Sequence, residues 1–148
     1  MSEITHSEII QASAESIWAL LEDFGSISSW WPRTDKIHIE RVDIEGTGVG
    51  MIRHIYNHGV AGCVSERLDL LDTENKVLIL SIVGERPKGM TAYVAEGRVE
   101  PINDSKCRVH YRAMVTTEKG REEKVRQAIL FTWSLMFRGL EAAANTTQ

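Results

Sequence analysis

Glu66 lies in the stretch CVSERLDLLD (residues 63–72), at alternate positions with Val64, Leu68 and Leu70. In a β-strand that spacing puts all four side chains on one face, so a carboxylate interrupts an apolar surface. An unpaired buried charge costs several kcal/mol or more, so Glu66 needs a partner there. The preceding segment supplies one. Met51, Arg53 and Ile55 share a face, Ile52, His54 and Tyr56 the other, and a hairpin near His58-Gly59 sets Arg53 close to opposite Glu66. Both side chains lying on a solvated outer face is the alternative, and strand register decides between the two. Tyr93 shares a face with Ala95 and Gly97, small residues that leave space beneath a sheet, and its hydroxyl can donate to a carbonyl or carboxylate. Two chemistries follow. Glu66 can be an ion-paired anchor for a ligand, or it can be a proton acceptor with Tyr93 or Arg53 stabilising an oxyanion. A guanidinium beside a carboxylate favours its charged form and makes it a poorer base, so the pairing favours the anchor.

Other constellations fail on their parts. GTGVG (residues 46–50) precedes a strand rather than joining a strand to a helix, so it reads as a turn and not a dinucleotide loop. His54 and His58 are four apart, but on a strand that spacing separates them by roughly 13 Å, too far to share one ion. Five scattered histidines and no CxxC give no expectation of a metal or other cofactor. Ser65 has no nearby base, which removes a Ser-His-Asp reading. Cys63 and Cys107 are too few for a disulfide framework and read as reduced residues of different strands.

The elements that would position these residues follow from periodicity. A strand-like ITHSEII opens the chain, and Ser13 starts a helix in which Ile17, Leu20, Leu21 and Phe24 recur at helical spacing. Gly25 is expected to end it, and SISSWWP reads as a second short helix stopped by Pro32. From Lys36 to about Thr117 the period is two, with six strands separated by short turn signals. Residues 121–144 read as one long helix whose stripe is Val125, Ala128, Ile129, Thr132, Met136, Leu140 and Ala143. The expected class is α+β, with helices collected on one side of a seven-stranded antiparallel sheet. A single helix over so broad an apolar face leaves room for a cavity.

That order, with GVGMIRHI, SERLDLLD and the closing amphipathic helix, resembles the helix-grip superfamily of START-like proteins over nearly the whole chain. This group contains polyketide cyclases and dehydrases, lipid-transfer domains, the birch-pollen allergen type and the plant abscisic acid receptors. The resemblance implies one START-like domain over residues 1–148, a curved sheet wrapped around the last helix, and an internal cavity. SERLDLLDTENKVLILSIVG followed by Tyr93 is similar to the receptors' ERLDxLD…SIxGG…Y. By that likeness Glu66 faces the cavity in a polar network, Lys36 stands where the receptors bind a carboxylate, and Tyr111 matches a polar cavity position. NHGVAGC lacks the receptors' Leu-Pro gate and GERPKGM lacks their latch, so hormone-triggered phosphatase inhibition is not implied. The expected apolar lining is Ile55, Leu68, Leu78, Leu80 and Ile82 from the sheet and Ala128, Thr132 and Met136 from the helix, with Trp30 or Trp31 at the mouth.

Composition sets the remaining bounds. The 148 residues are long enough for one domain to bury roughly two-thirds of its surface. A net charge of −4 without a basic run argues against nucleic acid. No stretch approaches the roughly 20 apolar residues of a membrane helix, and MSEITHSEII is not a signal peptide, so a cytoplasmic protein is expected. Monomer and homodimer are both open. The expected function is binding of a small hydrophobic or aromatic, lipid- or polyketide-like ligand. The alternatives are a cyclase, aromatase or dehydrase using Glu66 and Tyr93, and an interaction module with a collapsed cavity.

Overall fold

A computed structural model of the chain describes residues 1–146. Strand β1 (Ser2–Ile10) leads to helix α1 (Ala14–Glu22) and a 3₁₀ turn (Phe24–Ser29). Strands β2 (Ile39–Glu45), β3 (Ile52–Asn57), β4 (Val64–Asp72), β5 (Val77–Val83), β6 (Met90–Asn103) and β7 (Lys106–Thr117) follow, and helix α2 (Glu122–Thr146) closes the chain. All neighbours are antiparallel in the order β1-β7-β6-β5-β4-β3-β2, so the chain meanders through six strands and β1 joins the far edge. This is the expected α+β helix-grip arrangement.

Local chemistry explains the short helices. The Ser13 hydroxyl accepts from the Ser16 amide at 3.1 Å, satisfying one of the free N–H groups at the start of α1. Ile17, Trp18 and Leu21 then face the core. The helix stops at Glu22, before Gly25, which lies inside the 3₁₀ turn instead. Strand β2 starts at Ile39, three residues later than Lys36, because Thr34 bonds Ile37 in a local turn. Cys63 sits just before β4 rather than within a strand, while Cys107 is fully buried in β7 and burial pushes its thiol up to about 11.

Two patterns differ from the simple periodicity. In β4, Leu68 pairs Leu80 but Leu70 pairs Ile79, so a β-bulge spans Asp69. The extra residue reverses the alternation: Leu68 is buried, Leu70 is 40% exposed, and Leu71 packs on the core in its place. The Asp69 carboxylate accepts from Arg67 at 2.6 Å and from the buried Ser81 hydroxyl, which satisfies the polar groups at the kink. On α2 the buried stripe is rotated from the expected one. Ile129, Trp133, Met136, Phe137 and Leu140 are buried, while Ala128 and Thr132 lie at its exposed edge.

Helix α2 approaches β1, β7 and α1 at one side of the sheet. Gly139 makes the close packing against the Trp30–Pro32 turn feasible, since a Cβ there would overlap the Trp30 carbonyl and lie 2.9 Å from Pro32 Cδ. Toward the middle strands the helix stands off, and the space between becomes the site described next.

Candidate functional site

A cavity of about 480 Å³ lies between α2 and strands β2 to β7, within the range of small-molecule sites. Its deep end is polar. Arg53 and Glu66 are direct cross-strand partners, as the hairpin reading expects. Arg53 Nε and Nη2 donate to Glu66 Oε1 at 2.8 and 2.7 Å, with side-chain exposures of 6% and 16%. Arg53 Nη1 donates to the Phe24 carbonyl at 2.9 Å, and the guanidinium lies 3.8 Å over the Phe24 ring. Each of the three guanidinium nitrogens therefore has a partner, and the arginine ties the 3₁₀ turn to the sheet. Both of its bonds to Glu66 fall on Oε1. Among the described residues Glu66 Oε2 has no hydrogen-bond partner, and Glu66 is part of the cavity wall.

Tyr93 and Tyr111 stand beside this pair, from β6 and β7. Burial raises the pKa of both phenols well above its ordinary 10.0; nearby Glu66 adds to the rise, and Arg53 opposes it. For Tyr93 a hydrogen bond with Trp133 also works against the rise. Both are neutral donors at neutral pH. The folded state thus binds these protons more tightly than the unfolded state does. Stability from them is complete below pH 10 and is lost as pH rises beyond it. Denaturant unfolding between pH 8 and 11 should show this fall, by up to about 1.4 kcal/mol per pH unit for each phenol, and Tyr93→Phe with Tyr111→Phe should flatten it.

Gly97 does not leave open space. It pairs with Tyr111 across β6 and β7, and the Tyr111 ring fills the room its missing side chain provides. A Cβ at Gly97 would lie 2.7 Å from Tyr111 Cζ and 2.9 Å from the hydroxyl oxygen. Trp133 and Phe137 pack on the ring's other sides at centroid distances of 5.6 and 5.7 Å. Gly97→Ala should therefore destabilise the protein by about 1–3 kcal/mol. By melting curve, Gly97→Ala should cost less in a Tyr111→Ala background than in the wild type, because the methyl then has somewhere to go.

Ile55, Leu80, Ile82 and Met136 supply apolar wall, as expected. Ala128 and Thr132 are at the rim. Leu68 and Leu78 are not part of it. Both are buried in packed core, Leu68 just before the bulge and Leu78 beyond it, past the end of the cavity. Trp31, rather than Trp30, reaches the mouth. Exposed Lys36, His58, Val60, Pro87 and Phe131 line the opening to solvent. Periodicity missed Trp133, which closes the helix side together with Ile129, and His38 and His58 at the mouth. The stripe that carries Met136 also contains Ile129, but Trp133 sits one position off it.

The sequence profile of the family described as "Polyketide cyclase / dehydrase and lipid transport" matches residues 1–144. The chain belongs to this family. Among solved structures it is similar to the protein XoxI from Bacillus cereus, with TM-score 0.81, 23% identity and coverage of 97% of this chain and 95% of that one. The Zhui aromatase/cyclase from a Streptomyces species matches with TM-score 0.78 and 14% identity over 97% and 93% of the two chains. Truncated norcoclaurine synthase from Thalictrum flavum matches with TM-score 0.74 and 20% identity over 95% and 91%. At these identities the likeness is one of fold. No curated protein sequence matches the chain. Among the described residues no helix is long and apolar enough to cross a membrane.

Proposed function

We propose that this member of the cyclase, dehydrase and lipid-transport family binds a small, largely apolar or aromatic ligand in the cavity, with its polar end at Glu66, Tyr93 and Tyr111. The observation that supports this most is the buried polar end of an otherwise apolar space: one carboxylate oxygen without a partner and two neutral phenols. A hydroxyl on the ligand would donate to Glu66 Oε2, and a carbonyl would accept from a tyrosine. Arg53 serves by holding the carboxylate and, through one bond to the Phe24 carbonyl, fixing its position. Lys36 offers a cation at the mouth to a ligand that also carries an acid group.

Catalysis of a cyclase type fits less well, because two bonds from the Arg53 guanidinium already occupy Glu66 Oε1. Thermal shifts against panels of fatty acids, polyketides and aromatic acids test the binding reading. At least one class should raise Tm, and Thr132→Trp, which narrows the cavity at its rim, should abolish that rise. A panel with no stabilising compound, or a rise that survives Thr132→Trp and Glu66→Gln, contradicts it.

A further inference from the structure

We propose that His38, Glu40 and His58 form a binding site for a divalent transition-metal ion of the zinc type at the mouth of the cavity. One ligand atom from each residue lies within 4.8 Å of the others. Two features of the β2–β3 hairpin bring them together. The His58 amide donates to the His38 carbonyl at 3.0 Å, which fixes the two histidine backbones side by side just beyond the ends of the strands. The register shifts between Ile39 and Arg41, so Glu40 is the extra residue of a β-bulge, a device that re-aims a side chain. Its carboxylate thereby meets His58 Nδ1 at 2.8 Å.

The tautomer of His38 suits a ligand. Its Nδ1 lies 2.8 Å from the Thr34 carbonyl, which can only accept, so Nδ1 carries the proton and Nε2 keeps its lone pair. Metal-binding imidazoles are commonly held by just such a carbonyl or carboxylate. The two imidazoles are stacked, with centroids 4.5 Å apart and planes at 19°. Both lone pairs reach one ion only if the His58 ring turns about its Cβ–Cγ bond and exchanges its Glu40 hydrogen bond for shared coordination of the ion, and at the exposed rim it has the room. Two imidazole nitrogens with one carboxylate select zinc, cobalt, nickel or copper over calcium or magnesium. Three protein ligands leave a coordination position open. His38 and His58 also line the cavity, so that position borders the ligand's entrance.

Two other histidine–carboxylate contacts serve as internal controls. His54 meets Glu45 and His110 meets Glu100, each at 3.2 Å, and neither contact belongs to a group of three suitable ligands among the described residues. The experiment titrates the tag-free full chain with Zn²⁺ by calorimetry and with Co²⁺ by visible absorption. Circular dichroism checks that every variant is folded. The proposal expects one saturable ion per chain, weakened at least about tenfold by His38→Asn, His58→Asn or Glu40→Gln and unchanged by His54→Asn. No saturable binding, or binding that persists in His38→Asn and His58→Asn, overturns it. Loss in His54→Asn equal to that in His58→Asn also overturns it, since it would mark adventitious surface binding.

Discussion

Replacing Arg53 by leucine is expected to destabilise the protein by about 3–5 kcal/mol, the usual cost of leaving a buried charge without its partner. The effect should be large because three roles end together. Glu66 loses both bonds to Oε1, the Phe24 carbonyl loses its donor, and the cation over the Phe24 ring disappears. Urea unfolding would measure it. Glu66→Gln combined with Arg53→Leu should recover much of the loss, since a neutral amide at position 66 costs less to bury than an unpaired carboxylate. Recovery would locate the penalty in the orphaned charge. A double variant as unstable as the single one would instead place it in the tie between the sheet and the 3₁₀ turn.

Gly139→Ala is expected to be the other severe change, at about 1–3 kcal/mol despite a helix-propensity gain of about 1 kcal/mol. The added methyl meets the backbone oxygen of Trp30 and the ring of Pro32, neither of which can rotate away as a flexible side chain does. Relief requires α2 to lift from the Trp30–Pro32 turn, and α2 carries Trp133 and Met136 into the cavity wall. The measurement is a melting curve paired with ligand-induced shifts, and both stability and binding should fall together. Gly120, with open space around it but φ of +84°, gives the contrast: alanine there meets no atom, and its penalty comes from the backbone conformation alone.

The Arg53–Glu66 contact was legible because one short hairpin fixes its register and because burial of one charge demanded the other. The β1–α1 capping by Ser13 and the six-strand meander were legible for similar reasons, each resting on neighbours in sequence. What failed was long-range. The alternation of Val64, Glu66, Leu68 and Leu70 looks continuous in one dimension, and only the Asp69–Ser81 contact from the next strand accommodates the bulge that expels Leu70. Gly97 read as space because its occupant, Tyr111, comes from another strand. On α2 two apolar stripes overlap, and the larger Trp133 and Phe137 take the core while Ala128 and Thr132 are left at the rim. His38 and His58 are twenty positions apart, so their stacking depends on a bulged β2–β3 pairing that alternation does not reveal.

The central claim is that the space between α2 and the sheet holds a ligand by its polar end at Glu66 and the two tyrosines. A crystal structure of the protein with its most stabilising compound tests it most directly. The account expects that compound between α2 and strands β2 to β7, with an oxygen or nitrogen in hydrogen-bond reach of Glu66 Oε2, Tyr93 or Tyr111. The same space closed by Trp133, Met136 and the tyrosines, with the compound on the outer surface, would contradict it.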